Sequence, residues 1–329
     1  MCLLREEIGV NAFRYKKIVL FQNPWSGTPN LESRRKIRAR LEGLGDSLLE
    51  VVVDRELNLA RCATEIVKGN VDLVVVAGGD GTVREVAGAL VSTDVTLAIV
   101  PFGTFNNLAL SLKLPRDPEA ACDLIQEGVT RLIDVGMANQ HHAFFEGAGV
   151  GVDADLFPIA EEVKSGRFHR IGRAIRLALS HRQAPVEMRF DRPVIIAHQS
   201  SLRGMIPLKR RRRRFLGHKN RVRLRCSFVV IGNGPYYGGN FNVCPGAVLD
   251  DGLFSISVYR DFSKLELLSH FWSISGGRRL YSPKMEVFTA HRVEIWSRRS
   301  LSVHVDGQLI GTTPVQFDVL PRALKVIAP

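Results

Sequence analysis

Asp72 opens an unbroken apolar run, Leu73-Val74-Val75-Val76-Ala77, and the turn Gly78-Gly79-Asp80-Gly81-Thr82 follows at once. A strand with one wet face alternates in polarity, whereas a run apolar at every position is what a parallel sheet buries on both faces. Leu97-Ala98-Ile99-Val100 repeats the pattern and closes on Pro101-Phe102-Gly103-Thr104. Between the two runs, Thr82 to Leu90 reads as a helix. Upstream, Lys17 to Phe21 and Leu49 to Val53 read as strands, and Leu31 to Leu44 and Ala60 to Val67 as helices. Strands alternating with helices predict crossover units, hence an α/β domain on a parallel sheet.

After Asp134 the texture changes. Strand-like segments dominate: Ala143 to Phe145, Val186 to Phe190, Val194 to Ala197, Val222 to Ile231, Phe254 to Tyr259, Met285 to Thr289, Val293 to Trp296 and Leu301 to Val305. Two helical patterns interrupt them, near Asp155 to Lys164 and Ile171 to Leu179. We expect an α/β domain over residues 1–136 and a mainly antiparallel β-sandwich domain over 137–309. Residues from about 310 to 329 are expected to pack back on the first domain. Gly147, Gly149 and Gly151, followed by Asp153, read as a tight loop between the domains.

The chain carries 45 Lys and Arg against 33 Asp and Glu, a formal net charge of +12. That balance favours an anionic partner: nucleic acid, an acidic membrane surface or a phosphorylated small molecule. Six of the charges fall in one run, Lys209 to Arg214, inside a basic insertion spanning about 203–220. Six unpaired cations cannot enter a core, so the run is expected to be a solvated loop. No apolar run approaches the ~20 residues of a membrane-spanning helix. The N-terminal Met1-Cys2-Leu3-Leu4-Arg5-Glu6-Glu7 is charged too early for a signal peptide. The five cysteines are scattered, with no CxxC spacing, so reduced thiols in a cytoplasmic protein are expected.

The chemistry concentrates in the glycine turns. Glycine lets backbone approach a bulky anion, and the N–H groups at a following helix start can bind phosphate oxygens. Asp80 could hold a magnesium-bound water or steer phosphates, and the Thr82 hydroxyl could donate to one. The plain alternative is a strand-to-helix turn. The loop is neither a GxxxxGK[ST] phosphate loop nor a GxGxxG dinucleotide turn. Gly103-Thr104-Phe105-Asn106-Asn107 repeats its logic one strand later, and Asn23-Pro24-Trp25-Ser26-Gly27 supplies a third polar turn. All three emerge at the carboxyl ends of parallel strands, where open α/β sheets bind ligands.

The ordered set Asn-Pro-x-Ser-Gly, Gly-Gly-Asp-Gly-Thr and Pro-x-Gly-Thr-x-Asn resembles the diacylglycerol kinase catalytic-domain family, which includes bacterial lipid kinases and sphingosine kinases. Gly-Gly-Asp-Gly alone is shared with NAD kinases and phosphofructokinases. The series continues in Gly232-Asn233-Gly234 with Gly238-Gly239, in Pro245 to Gly252, in Val305-Asp306-Gly307 and in the closing strand Leu324 to Ile327.

The resemblance implies an ATP- and Mg²⁺-dependent kinase acting on a lipid hydroxyl, of diacylglycerol or a sphingoid base, in phospholipid metabolism. By motif, Asn23, Gly78, Gly79, Asp80, Gly81, Thr82, Gly103, Thr104 and Asn106 would bind the nucleotide. Asp251 with the carbonyls of Val248 and Leu253 would match a structural Mg²⁺ site of bacterial members.

Two positions depart from the pattern. The family's late Asp-Gly-Glu is Asp306-Gly307-Gln308 here, and an amide has no accessible protonation at neutral pH, so it cannot be the base. Asp306 or Asp80 would then supply the carboxylate. The family's Gly-Gly-Asp-Gly-Thr-x-Asn-Glu ends here in Arg84-Glu85. Arg84 either contacts a phosphate or faces solvent. Asp134 either braces the cleft or ends a strand. His141 and His142, adjacent on a strand-like segment, point to opposite faces and do not share a metal.

Three functional readings follow. The first is a lipid kinase, peripheral at the inner face of a membrane, with Lys209 to Arg214 drawn to anionic headgroups. The second is a weak or inactive regulatory member that binds nucleotide or lipid through the same pocket. The third is a basic nucleic-acid-binding protein, disfavoured because no RNA- or DNA-binding motif occurs elsewhere. A homodimer is compatible with all three.

Overall fold

The computed structural model describes residues 15–27, 31–54, 56–164, 168–180, 182–192, 220–236, 244, 246–260, 263–266 and 285–329. The Lys209 to Arg214 run, the expected strand Val194 to Ala197, Gly238, Gly239 and Pro245 lie outside these residues.

The apolar runs become the centre of a sheet. In chain order the first half is β1 (Tyr15–Gln22), α1 (Leu31–Glu42), β2 (Gly45–Val52), α2 (Leu59–Val67), β3 (Leu73–Gly78), α3 (Asp80–Leu90), β4 (Thr96–Pro101), α4 (Asn107–Ser111), α5 (Pro118–Glu127) and β5 (Val129–Ala138). Strands β2, β1, β3 and β4 lie side by side and parallel. Every residue of β3 and β4 is buried, as unalternating runs require. One sheet face carries Ile18, Leu20, Val75 and Val100 against Ile37 and Leu41 of α1 and Ile125 of α5. The other carries Val19, Phe21, Val74 and Ile99 against Ala63 of α2 and Val86 and Leu90 of α3. Helix α2 starts on Asn58, whose side chain accepts from Arg61 N at 3.0 Å, and α5 starts likewise on Asp117.

The second half comprises β6 (His142–Phe144), β7 (Gly147–Gly151), α6 (Val152–Lys164), α7 (Ile171–Ser180), β8 (Ala184–Phe190), β9 (Arg221–Cys226), β10 (Phe228–Gly232), β11 (Phe254–Tyr259), β12 (Met285–Ala290), β13 (Arg292–Ser297), β14 (Ser302–Val305), β15 (Gln308–Thr312) and β16 (Val315–Ala328). Six strands form a sheet in the order β12-β11-β10-β7-β14-β15, antiparallel throughout. It faces an antiparallel layer of β8, β9, β13 and part of β16 across a core of Phe144, Met188, Phe190, Ile231, Ile256, Phe288 and Phe317. Helices α6 and α7 cover the outer face, where Leu156, Ile159 and Ala174 meet Phe228, Val230 and Tyr259. The architecture is thus an α/β half on a mainly parallel sheet and an antiparallel β half.

Two local expectations are corrected. Val222 to Ile231 is not one strand: it breaks at Ser227, so that β9 joins one sheet and β10 the other. Gly147 to Gly151 is not a loop but β7, a buried strand bonded on both sides to β10 and β14. A Cβ on Gly149 would lie 2.3 Å from both Asp153 Oδ2 and His304 Nε2. Only glycine leaves room for that buried pair, whose ring and carboxylate meet at 3.2 Å.

Strand β16 ties the halves together. Its first part pairs with β13, its last part runs parallel to β4, and β5 pairs along its length. Burial pushes the Cys122 thiol up to about 11 and those of Cys226 and Cys244 up to about 12, which makes them packing residues rather than nucleophiles.

Candidate active site

Three turns leave the carboxyl ends of β1, β3 and β4 and interlock. Phe102 N donates to Gly78 O at 3.0 Å, and Asn23 N donates to Ala77 O at 3.0 Å. Gly27 has φ +64°, and a Cβ there would fall 2.1 Å from Phe102 O. A Cβ on Gly103 would lie 2.5 Å from Gly79 Cα, so the second and third turns touch backbone to backbone. No other residue type permits that approach.

Polar side chains then fix the turns. Ser26 Oγ accepts from Gly79 N at 3.1 Å, and Asn23 Nδ2 donates to Thr82 Oγ1 at 2.7 Å. Asn106, at φ 52°, accepts from Gly103 N at 2.9 Å through its Oδ1 and donates to Gly103 O at 2.7 Å through its Nδ2. Asp80 opens α3, where a carboxylate suits the helix dipole. Its two oxygens accept from Asn106 N at 2.9 Å and Asn107 N at 2.7 Å. Burial pushes this carboxyl above its ordinary value, and the two N–H donors draw it back. Asp80 therefore stitches one glycine turn to the next.

The expected nucleotide residues divide between two adjoining depressions. Asn23, Gly79, Asp80, Gly81 and Thr82 line a cleft of about 380 Å³ with Val53, Leu59 and Arg84. Gly103, Thr104 and Asn106 line a neighbouring one of about 430 Å³, with Leu110 and Leu114 on its apolar side. Gly78 lines neither; a Cβ there would sit 2.9 Å from Thr82 Cβ, so it serves the packing beneath the turn. Thr104 is exposed.

The second half supplies the facing wall. Asp306, at φ 41°, turns the chain between β14 and β15. Its carboxylate accepts from Phe145 N at 2.8 Å and from Glu146 N and Gly147 N at 3.0 Å each. Burial pushes this carboxyl up, and the three N–H donors and Arg84 oppose that. Arg84 does not face solvent: its Nη1 donates to Asp306 O at 3.1 Å, joining α3 to the Asp306 turn. Gln308, two residues on, is exposed.

Glu146 was not legible as a functional residue. It is buried, and its Oε2 accepts from Asn107 Nδ2 at 2.8 Å. Its carbonyl accepts from Asn233 N and Gly234 N at 3.0 Å each. Asn107 thus donates its main-chain N–H to Asp80 and its side chain to Glu146, across the two halves. Asp134, also buried, accepts from Gly252 N at 2.6 Å and Arg322 N at 2.7 Å and so braces the wall.

Asp251 sits in the turn next to this brace, and its Oδ1 accepts from Leu253 N at 2.9 Å. Partial burial and the neighbouring charges of Asp134 and Asp250 push its carboxyl up. A cation would relieve that repulsion, so one carboxylate with the Val248 and Leu253 carbonyls fits the chemistry of a hard divalent ion. Among the described residues no group of three His, Cys, Asp or Glu is placed to hold a metal.

A glycine-walled cleft at the carboxyl edge of a parallel sheet, faced by a β-sandwich, places the protein in a class of two-domain α/β proteins. Residues 17–138 match the family model for the diacylglycerol kinase catalytic domain. Residues 194–328 match the YegS C-terminal NAD kinase beta sandwich-like domain. A diacylglycerol kinase of Mycobacterium tuberculosis is 27% identical over 329 residues, covering 99% of this chain and 97% of the relative. One from Bacillus subtilis is 27% identical over 264 residues, 78% of each. A solved structure described as a diacylglycerol kinase from Bacillus anthracis superposes with a TM-score of 0.69 over 96% of this chain and 98% of its own. At 22% identity it speaks for the fold. The chain belongs to the diacylglycerol kinase catalytic-domain family, a family of kinases.

Proposed function

We propose that the protein is an ATP-dependent lipid kinase that moves the γ-phosphate to a hydroxyl of a diacylglycerol-like or sphingoid acceptor. The observation that carries this reading is the backbone contact of Gly79 with Gly103, fixed by Asp80 through Asn106 and Asn107. It leaves the α3 N-terminus, whose first-turn N–H groups lack intrahelical partners, open to an anion in a cleft with a cation, Arg84, at its rim.

In this reading Val53 and Leu59 give the base an apolar wall, and Gly79 to Thr82 receive the phosphates. Arg84 meets the charge that develops on the transferred group. The acceptor oxygen bonds to the γ-phosphorus as the bond to the bridging oxygen of ADP breaks, and the hydroxyl proton passes to water in the cleft. Asp80 and Asp306 are already engaged by two and three N–H donors, so they act by positioning rather than as free bases. Phosphoryl transfer depends mainly on positioning and charge, which makes Gln308 tolerable. Mg²⁺ on the nucleotide would neutralise phosphate charge, and Asp251 with Val248 and Leu253 would hold a structural one. The acceptor would be met at the inner membrane face, with Lys209 to Arg214 drawn to it.

Labelled ATP offered with a panel of lipids, with products identified by mass spectrometry, tests the reading. A phosphorylated lipid is expected, with turnover lowered ~10²-fold or more in Asp80→Ala, since a small misplacement of the loops suffices for that loss. Full activity in that variant removes Asp80 from the site, and no phosphorylated product anywhere overturns the kinase reading. Exposed Gln308 at the family's base position favours one second reading, a member that binds without turnover. A large gain in Gln308→Glu from a near-silent parent would establish it.

A further inference from the structure

His304 and Asp153 line neither depression, and both are buried, at 0% and 3% exposure. An apolar residue on β14 would fill that space without taking a polar ring and a carboxylate out of water, a cost that only full pairing offsets. Here both ring nitrogens are used. Gly307 N donates to Nδ1 at 3.3 Å, so Nδ1 accepts and the ring proton sits on Nε2, which faces Asp153 Oδ2 at 3.2 Å. The β14–β15 register shifts between Val303 and His304, the kind of irregularity that re-aims a side chain.

The N–H of Gly307 belongs to the peptide whose carbonyl is Asp306 O, and that carbonyl accepts from Arg84 Nη1 at 3.1 Å. The peptide is trans, so its N–H and C=O point opposite ways. A ring that holds the N–H on one side aims the carbonyl at the guanidinium on the other. Asp306 at φ 41° and Gly307 at φ 80° place this peptide at the centre of a two-residue type I′ turn closed by Val305 and Gln308. Glycine leaves such a peptide free to rotate, and the ring removes that freedom. Three hydrogen bonds therefore run in one sense: guanidinium to carbonyl, amide to imidazole, imidazole to carboxylate. Each polarises the next. The chain begins at a cation in the cleft lining and ends at a carboxylate in the first turn of α6. Glu85, on the same helix as Arg84, meets only the other terminal nitrogen, Nη2, at 3.3 Å.

We propose that His304 is a positioning residue for Arg84: it fixes the guanidinium in the cleft through the Asp306–Gly307 peptide, and Asp153 holds the ring. With no exposed surface, the ring acts only through that peptide. The role rests on the lipid-kinase reading for what Arg84 meets, the charge on the transferred phosphoryl group.

A double-mutant cycle on kcat tests it, with ATP and the acceptor that the lipid panel identifies. His304→Gln keeps a donor toward Asp153 and gives up the Nδ1 acceptor. Its kcat should fall about tenfold with KM for ATP unchanged, since misplacing a group that stabilises developing charge shows in turnover. His304→Asn keeps an acceptor near the Nδ1 position and should recover most of that loss. Arg84→Gln should lower kcat about 10²-fold. Because His304 acts through Arg84, the double variant His304→Gln with Arg84→Gln should match Arg84→Gln alone. Losses that multiply, or a kcat that merely follows melting temperature across the two His304 variants, overturn the proposal in favour of packing. So does parental kcat in folded His304→Gln. The parent alone gives a further check: nitrogen-15 spectra at neutral pH should show the His304 proton on Nε2, and a proton on Nδ1 breaks the chain and overturns the proposal. Nitrogen-15 relaxation at Arg84 Nε should show an ordered guanidinium in the parent and a mobile one in His304→Gln, with or without turnover. Equal order in both overturns the positioning role. If no lipid is phosphorylated, the kinase reading falls, and the relaxation result decides the positioning role by itself.

Discussion

The two walls of the cleft hold their backbone by opposite means. The α/β wall brings turns into contact by removing side chains: Gly79 and Gly103 meet Cα to Cα. The β wall gathers backbone around a side chain: Asp306 collects three successive N–H groups. The first is vulnerable to one added carbon. The second is vulnerable to the loss of one carboxylate. Arg84 and Asn107 cross between them, so neither wall is set alone.

The sharpest break should come in the β wall. Asp306→Ala strands three N–H donors and is expected to cost about 3 kcal/mol, seen as a melting temperature lower by about 4 °C, with activity falling in parallel. On the opposite wall, Gly103→Ala forces apart two backbones and should cost about 1–3 kcal/mol together with most nucleotide affinity, read by calorimetric titration. Gly88→Ala, further along α3 and outside the cleft lining, is its control, because a Cβ there meets nothing within 4 Å; affinity should stay near the parent's. If both glycine variants behave alike, close approach is not what shapes that wall.

The bridge between the walls should be softer. Glu146→Gln keeps an acceptor for Asn107 Nδ2 and should retain parental kcat and KM for ATP. Glu146→Ala should lower kcat about tenfold and stability by about 1–2 kcal/mol. Equal losses in both variants would mean that the charge, not the hydrogen bond, matters.

The smallest effect lies away from the cleft. Hydrogen bonds from Arg221, and then from Arg223 and Arg189, lower the Glu187 carboxyl to about 2. A depressed carboxylate adds stability above its unfolded value, and that contribution fades as pH falls from the ordinary carboxylate range toward 2. Melting curves of Glu187→Gln should therefore differ from the parent by about one or two degrees at neutral pH and converge in acid. A constant gap at every pH would refute this.

The same contrast explains what could be read from the chain in advance. The α/β wall is written locally: apolar runs, then glycine, then a helix, all within a few residues. The Ser227 break was hidden because Val222 to Ile231 stays β-like while its pairing changes sheet. Gly147 to Gly151 looked like a turn because glycine marks turns, yet there it clears space for His304 and Asp153. Glu146 and Asp306 act through contacts 39 and about 160 positions away, which no local pattern encodes.

Strand β16 gives the molecule a single fate. Residues Lys325 and Val326 cover the open side of β4, and residues from Phe317 to Ala328 cover β5. A fragment cut near the middle of the chain would leave β4 and β5 with bare hydrogen-bonding edges, the geometry that recruits other chains into aggregates. The halves should accordingly melt in one cooperative transition, and excising either as an independent module should yield inclusion bodies rather than a working half.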